Sequence, residues 1–400
     1  MSMKQGKLEP QLRFSKFTNH WSKQNLGELC DKIQDGNYGE SYPKSDDFLE
    51  TGIPFLTSKA ISKTGEIIKS KVDYISPEKH TQLAKAHLKI NDVLFTNRGA
   101  NVGVIGFVDS TISNGNIGPQ LTLLRANRKV ILPLFLKYYM NTYAFQKQVH
   151  SQDSGSAMNF FGIGETKKFI IYVPLIAEQE KIASFLGAVD TRISQLRRKH
   201  ELLQTYKRSV MQKIFSQQIR FKGDEGQPFP DWEYKELGEV LHYEQPTNYL
   251  VSNTEYNDLF PTPVLTAGKT FLLGYSNEID NIFCKLPTII FDDFTTAFKF
   301  VDFPFKAKSS AMKMLVPKNK DVNIKYIFEV MNTLKFSLGE EHKRYWISEY
   351  QYLEIPYPNT QEQEKIAEFL IAIDQKIEAI TKQIELTEKL KKGLLQKMFV

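Results

Sequence analysis

Residues 230–235 form the segment of this sequence that comes nearest to a catalytic motif. They spell Pro-Asp-Trp-Glu-Tyr-Lys, which fits the Pro-Asp-x-Glu-x-Lys pattern of metal-dependent nucleases. In such a centre the first acid comes from a separate strand and shares a metal ion with the second acid. Here Asp231 and Glu233 are neighbours on one segment, and the other half of the chain has no matching acid pair around Trp21. A structural role is therefore favoured, with a self-contained nuclease as the alternative.

Other residues of catalytic type lack the spacing that their chemistry needs. Asp292 and Asp293 follow an apolar run and could bind a metal or cap a turn. No GxxxxGK[ST] or GxGxxG phosphate loop and no Asn/Asp-Pro-Pro-aromatic tetrapeptide of amino-methyltransferases occurs. The 7 histidines have no paired ligand spacing, Ser154 lies outside a GxSxG frame, and Cys30 and Cys284 are isolated. We predict no catalytic residue, metal site or cofactor in this chain.

Polar turns offer a different chemistry, because their side chains donate hydrogen bonds. Such turns occur at 57–59, 96–99, 114–120 and 266–269, and several lysines lie within 299–313. Arginine and lysine pair with guanine edges, and asparagine and glutamine pair with adenine edges. Contact with nucleic acid is one interpretation of these turns, and ordinary loop chemistry is the other.

Two mixed α/β domains are predicted to hold these turns. Short β-rich runs are separated by Gly, Pro and Asn, as is typical of strands joined by turns. The strands are predicted at 93–96, 102–108, 121–124 and 288–291, and helical pieces are predicted near 133–149 and near 324–338.

The chain contains an internal duplication. Residues 178–215 and 362–399 align without a gap, and 17 of 38 positions are identical. Each copy begins with Glu-Gln-Glu-Lys-Ile-Ala and follows a proline that ends an apolar run. The beginnings of the two halves also correspond, because Leu-Arg-Phe at 12–14 matches Ile-Arg-Phe at 219–221. A domain followed by a helix is thus present twice.

Both copies have apolar residues at every seventh position, as in the seam of a coiled coil. At about 1.5 Å per residue each copy makes a helix about 57 Å long, and two helices with one apolar stripe each should pair. We expect antiparallel pairing, which relates the halves by a pseudo-two-fold axis; two unrelated helical arms are the alternative. The seam is predicted at Ile182, Val189, Leu196, Leu203 and Val210 and at Ile366, Ile373, Ile380 and Leu394.

Length and composition agree with this plan. We divide the 400 residues into a first globular domain at 1–175, a first helix at 176–216, a second domain at 217–360 and a second helix at 361–400. A net charge of +6 is compatible with a nucleic-acid partner without requiring one. Since no signal peptide or long apolar stretch is evident and the cysteines are isolated, we expect a cytoplasmic protein with no membrane partner.

The duplicated helices, each preceded by a domain that ends at a proline (Pro174 and Pro358), resemble those of the specificity subunit of type I restriction-modification systems. The turn-rich phrases at 92–99, 264–269 and 273–276 add to the resemblance, which covers essentially the whole chain. It implies an α+β fold in which two target-recognition domains are joined by two long helices that pair as an antiparallel coiled coil.

The resemblance also implies a non-catalytic DNA-binding subunit. Each recognition domain would recognise one half of a bipartite, asymmetric site, and the helices would set the spacer and dock two modification (methyltransferase) subunits. Restriction subunits would add translocation and cleavage, and the partner subunits would bind S-adenosylmethionine, ATP and magnesium. We expect DNA to be faced by Lys59, Asn97, Arg98 and Gln120 in the first domain and by Lys269, Tyr275, Lys306, Lys308 and Lys313 in the second.

Two other functions stay open at this point. A coiled-coil scaffold would hold two protein partners without touching DNA, and salt-dependent duplex binding would separate it from a DNA-binding subunit. A self-contained nuclease would cut DNA alone in the presence of magnesium.

Overall fold

The computed structural model describes residues 9–151, 160–268, 270–336 and 344–400. Contacts divide the chain into two compact units. Unit 1 contains residues 1–197 and 382–400, and unit 2 contains residues 198–381. Each unit therefore combines one globular domain with part of each long helix. Within the described ranges no helix is both long and apolar enough to span a membrane.

Unit 1 is built on two four-stranded sheets and a two-stranded ribbon. Its strands are β1 Ser22–Asn25, β2 Cys30–Asp35, β3 Phe48–Leu49, β4 Ile53–Leu56, β5 Asp73–Ile75, β6 Val93–Thr96, β7 Ile105–Phe107, β8 Asn116–Ile117, β9 Leu121–Ala126 and β10 Ile170–Val173. The central sheet has the antiparallel order β2-β9-β6-β7, the second sheet has the order β3-β5-β4-β8, and β1 pairs with β10. The predicted strands at 93–96 and 121–124 are confirmed.

The helices of unit 1 are short, apart from the long helix α6. They are α1 Leu26–Leu29, α2 Pro77–Gln82, α3 Pro133–Met140, α4 Tyr143–Ser151, α5 Ile163–Lys167 and the beginning of α6 Ile176–Phe215. The helical pieces predicted near 133–149 are present as α3 and α4, and Thr142 Oγ1 separates them by accepting a hydrogen bond from Phe145 N at 3.2 Å at the start of α4. The strand predicted at 102–108 is reduced to β7, since Gly103 has a φ of 88°.

Unit 2 repeats this architecture with a smaller second sheet. Its strands are β11 Glu233–Glu236, β12 Leu241–Glu244, β13 Thr262–Leu265, β14 Leu272–Ser276, β15 Thr288–Asp292, β16 Phe298–Val301, β17 Lys306–Ala307, β18 Met312–Pro317 and β19 Glu354–Tyr357. The orders are β12-β18-β15-β16, β14-β13-β17 and β11-β19. The helices are α7 Leu237–Val240, α8 Ile324–Met331, α9 Tyr345–Ser348 and α10 Thr360–Lys397. The strand predicted at 288–291 is confirmed, and the helical piece predicted near 324–338 is present as α8.

The long helices α6 and α10 pair in an antiparallel direction within each unit. In unit 1, Asp190 lies 2.7 Å from Lys391 and Arg197 lies 2.7 Å from Glu388, so residue numbers rise on one helix as they fall on the other. The corresponding contact in unit 2 joins Lys207 Nζ to Asp374 Oδ1 at 2.7 Å. The predicted antiparallel coiled coil is confirmed within each unit.

Burial of the apolar stripe explains why these helices pair. An isolated helix with one apolar face is marginal in water, whereas packing that face supplies most of its stability. Seven of the predicted seam residues are buried and two, Val189 and Leu203, are half-buried; the buried ones are Ile182, Leu196, Val210, Ile366, Ile373, Ile380 and Leu394.

The ends of the helices also complete the domain cores. Leu394, Met398 and Phe399 join the main core of unit 1, and Val210, Met211 and Ile214 join that of unit 2. Each domain is therefore closed by the carboxyl end of one long helix.

Candidate DNA-recognition surface

The central sheets of the two units have the same topology, which makes their positions comparable. The strand pairing places Thr122 of β9 and Lys313 of β18 at equivalent positions beside the central strand. Asn97 follows the central strand β6, and Asp293 follows the central strand β15. These four residues link strand to strand beneath the loops that leave the sheet.

In unit 1 the link is a buried hydrogen-bond network. Asn97 Nδ2 donates to Thr122 Oγ1 at 2.9 Å and to Asp35 Oδ1 at 3.2 Å, and Thr122 Oγ1 donates to the same carboxylate at 2.6 Å. Asn97 is 0% exposed. The expectation that Asn97 faces DNA is therefore wrong, because its amide is used inside the domain, where an unpaired polar group would be costly.

In unit 2 the equivalent link is a buried ion pair. Lys313 Nζ lies 3.4 Å from Asp293 Oδ2 and 4.7 Å from the centre of the Tyr243 ring, and Lys313 is 1% exposed. Asp293 Oδ1 also accepts a hydrogen bond from Trp346 N at 2.9 Å. The expectation that Lys313 faces DNA is corrected in the same way, since a buried ammonium must keep its partner.

Lys306 of β17 forms another internal contact. Its Nζ lies 2.7 Å from Glu278 Oε2 and 3.0 Å from the Asp280 carbonyl oxygen, and the residue is buried. Burial opposes ionisation of Glu278, but the hydrogen bonds from Lys306 and from backbone N–H groups outweigh it and lower the pKa of Glu278. Lys306 therefore stabilises the loop of Glu278 and Asp280. The expectation that Lys306 faces DNA is also wrong, because its ammonium group is used inside the domain.

The other candidates in unit 1 reach the surface. Lys59 is exposed and pairs with Asp73 at 2.8 Å. Arg98 is half-buried, donates from Nε to Asn97 Oδ1 at 3.2 Å, and lies 4.3 Å from the centre of the Phe160 ring. Gln120 is half-buried, and its Oε1 has no hydrogen-bond partner among the described residues. Contact of these three side chains with DNA stays a prediction.

In unit 2 two candidates are accessible. Lys308 is exposed and its backbone N–H donates to the Leu265 carbonyl at 2.9 Å, while Tyr275 is half-buried on β14. Contact of Lys308 and Tyr275 with DNA also stays a prediction. Lys269 lies outside the described residues.

The acidic pairs considered for a nuclease have local structural roles. Asp231 is fully exposed, and Glu233 lies 3.2 Å from Lys235, whose ammonium lies over the Tyr357 ring at 4.2 Å. Asp292 accepts hydrogen bonds from the backbone N–H groups of Phe294 and Thr295 at 2.9 Å and so forms the turn after β15. No group of three metal-ligating side chains occurs in the described part of the chain.

One ion pair in each unit joins the beginning of the domain to a long helix, and neither pair was predicted from the sequence. Arg13 Nε and Nη2 donate to Glu178 at 2.8 Å each, and Arg220 Nε and Nη2 donate to Glu362 at 3.1 and 2.7 Å. Both glutamates are buried, and their hydrogen bonds raise the pKa of each arginine. The sequence does contain a signal for these pairs, because the arginine and the glutamate occupy equivalent positions in the two halves of the chain.

A second repeated contact joins the two long helices to each other and to the domain of each unit. Asp190 accepts from Tyr138 at 2.8 Å and pairs with Lys391, while Asp374 pairs with Lys207 and with Lys325. The two aspartates and the two helix lysines occupy equivalent positions in the duplicated segments. Each unit therefore contains the same ionic contact across its helix pair.

Comparison with known proteins gives these features a family. The family described as type I restriction modification DNA specificity domain matches residues 19–204 and again 230–388. The chain belongs to this family. As a type I specificity chain, it has a role in DNA sequence specificity, and neither the nuclease nor the scaffold alternative is supported.

Individual relatives agree with the family assignment. This specificity chain is 49% identical over 160 residues to the specificity subunit of the Escherichia coli enzymes EcoR124I/EcoR124II, a match that covers 38% of the chain and 39% of that subunit. It is 26% identical over 406 residues to the putative MjaX specificity subunit of Methanocaldococcus jannaschii, with 94% and 92% covered. The first match thus spans well under two thirds of that relative.

Solved structures show the same fold. The S subunit of a type I restriction-modification system from M. genitalium superimposes on the specificity chain with a TM-score of 0.66 at 16% identity, covering 98% of this chain and 99% of that one. A chain from a structure of type I system assembly and conformational transition gives a TM-score of 0.53 at 17% identity, covering 95% and 97%.

Proposed function

We propose that each unit of this specificity chain recognises one half of a bipartite, asymmetric DNA site, and that α6 and α10 set the number of unread base pairs between the halves. The chain would choose the site and leave the chemistry to partner subunits. Two modification subunits would dock on the helices and bind S-adenosylmethionine, and restriction subunits would bring ATP and magnesium.

The repeated ionic contact supports this proposal most directly. Lys391 with Asp190 in unit 1 and Lys207 with Asp374 in unit 2 are equivalent pairs across the two helices. The same aspartates also contact the domains, through Tyr138 in unit 1 and Lys325 in unit 2, so both domains are attached to the helix pair at equivalent positions. The two domains are thus held by the same kind of contact but have different surfaces. This arrangement suits a protein that recognises two different half-sites. In the long helices, each added residue would lengthen the spacing by about 1.5 Å.

The difference between the two domains also supports two different half-sites. Residues 1–177 carry 22 basic and 15 acidic side chains, whereas residues 216–361 carry 15 and 20. Phosphate contacts give affinity, whereas contacts to base edges give sequence preference. Two domains with one fold and unlike surfaces should therefore select unlike base sequences.

The length of the helices provides the test. Seven residues inserted after Arg197 and seven inserted after Thr381 keep the seven-residue repeat and add about 10 Å, which corresponds to about three base pairs. The variant and the natural chain are each expressed with their modification subunits, and methylated adenines are mapped by single-molecule sequencing. We expect both half-sites to be kept and the gap to grow by about three base pairs.

A length-neutral variant is the matched control. It replaces seven residues after Arg197 with another heptad of the same seam pattern, and it should leave the gap unchanged. A longer helix pair that methylates the original motif with the original gap would show that the helices do not set the spacing. A natural chain whose motif is one continuous block would contradict the two-half-site proposal itself.

A further inference from the structure

Two backbone hydrogen bonds align the loops at the ends of the central strands. Phe161 N donates to the Asn97 carbonyl oxygen at 2.9 Å in unit 1, and Tyr345 N donates to the Asp293 carbonyl oxygen at 2.9 Å in unit 2. In both units a segment that arrives from far along the chain therefore crosses the end of the central strand at the same place. Each hydrogen bond defines two neighbouring positions. The first is the residue that follows Asn97 or Asp293, and the second is the residue that precedes Phe161 or Tyr345.

An arginine and a phenylalanine occupy these two positions in both units, with their places exchanged. Unit 1 has Arg98 after the strand and Phe160 on the crossing segment, whereas unit 2 has Phe294 after the strand and Arg344 on the crossing segment. Phe160 is 53% exposed and Phe294 is 49% exposed, and Arg344 is also exposed. The two domains thus keep one cation and one aromatic ring at this surface by different routes.

The arginine of unit 1 is held in a fixed plane. Arg98 Nε donates to Asn97 Oδ1, and the guanidinium carbon lies 4.3 Å from the centre of the Phe160 ring. Asn97 is itself fixed by Thr122 and Asp35. The Nη1 and Nη2 groups of Arg98 have no hydrogen-bond partner among the described residues, so two parallel donors are available to a ligand.

We infer that these paired positions form the base-reading contact of each unit, with Arg98 in unit 1 and Arg344 in unit 2 each recognising a guanine edge. This inference rests on the proposed function and names the residues that carry it out. Guanine offers O6 and N7 side by side in the major groove, and the two outer nitrogens of a fixed guanidinium match that spacing.

A guanine edge fits this geometry better than a phosphate does. A phosphate contact needs only a positive charge, which a mobile lysine supplies, whereas a bidentate base contact needs the plane of the guanidinium to be set in advance. In unit 1 the buried network beneath Arg98 and the ring above it set that plane. The exposed ring is also placed to contact a neighbouring base or sugar.

The experiment compares two conservative variants in the complete complex with the modification subunits. Arg98→Lys and Arg344→Lys keep the charge but lose the bidentate fork. The natural motif is mapped first, and binding is then measured by fluorescence anisotropy on duplexes that carry each single base-pair substitution in either half. We expect Arg98→Lys to lose about tenfold to hundredfold discrimination at one G·C pair of one half-site, and Arg344→Lys to do so in the other half-site.

Each variant has an internal control, because preference in the untouched half-site shows that the complex is folded and bound. Arg128→Lys, an exposed arginine elsewhere in unit 1, should leave all preferences unchanged. The inference is overturned if either variant weakens all duplexes equally, which indicates a phosphate contact, or if base preference stays complete. It is also overturned if one variant relaxes both halves. Failure of the proposed function would show separately, as a natural motif that is not bipartite.

Discussion

The Phe399→Ala substitution should loosen unit 1 and leave unit 2 intact, although Phe399 lies just beyond the end of α10, most of which belongs to unit 2. Phe399 is 6% exposed, and its ring lies 5.4 Å from Phe135, 5.9 Å from Tyr139 and 6.2 Å from Trp21, between ring centres. Removing a phenylalanine side chain from such a core costs about 3–5 kcal/mol. Since 1.4 kcal/mol is a factor of ten, amide protection in unit 1 should fall by at least about a hundredfold.

The duplication supplies a matched control for this experiment. Phe215 is the equivalent residue of α6, is half-buried, and contacts Tyr326 with ring centres 5.9 Å apart. Phe215→Ala should therefore loosen unit 2, by a smaller amount of about 1–3 kcal/mol because less surface is buried. Native-state hydrogen exchange followed by mass spectrometry measures both effects, with α3 reporting unit 1 and α8 reporting unit 2. If Phe399→Ala lowers protection in α8 as much as in α3, the assignment of the helix end to unit 1 is refuted.

Two further predictions concern titration. Burial opposes ionisation of Asp190, but Lys391, Lys137 and Tyr138 outweigh it and lower the pKa of its carboxyl group; the resulting stability is present above the unfolded pKa of about 4 and is lost as the pH falls through the lower folded value. Urea unfolding between pH 3 and pH 7 should therefore show a steeper acid-side loss in the natural chain than in Asp190→Asn, and equal slopes would contradict this. Burial raises the pKa of the Cys30 thiol to about 12, whereas Cys284 is exposed, so iodoacetamide at pH 8 should alkylate Cys284 first. Mass spectrometry of proteolytic peptides sampled over time would show this order, and equal rates at the two cysteines would contradict it.

The helices could be predicted from the sequence because their signal is periodic and local. A seven-residue repeat identifies which face of α6 and α10 is buried without knowledge of the partner. Residues beside the seam follow the period less closely: Phe185 lies three residues after Ile182, yet it is 40% exposed and its ring meets Phe14 edge-on, with ring centres 6.0 Å apart. The period therefore predicts the burial of the seam residues better than the burial of the apolar residues beside them.

The DNA-facing residues were harder to predict because burial depends on contacts between distant segments. Asn97 lies in a polar turn next to Arg98, yet the partners that bury it, Asp35 and Thr122, come from strands far along the chain. Lys306 and Lys313 look like surface lysines until the folded sheets bring Glu278 and Asp293 to them. Side-chain type predicts what a residue can bind, whereas the sheet pairing decides whether solvent can reach it.

The division of the helices between the units has a consequence for the order of folding during synthesis. Unit 2 is one contiguous stretch, 198–381, whereas unit 1 needs residues 382–400 to complete it. During translation the first domain is synthesised early, and Phe399 cannot pack against Trp21, Phe135 and Tyr139 until the last residues have been added. The domain that is made first is therefore finished last, and a nascent chain that stops short of 382 exposes the apolar surface that promotes aggregation or chaperone binding.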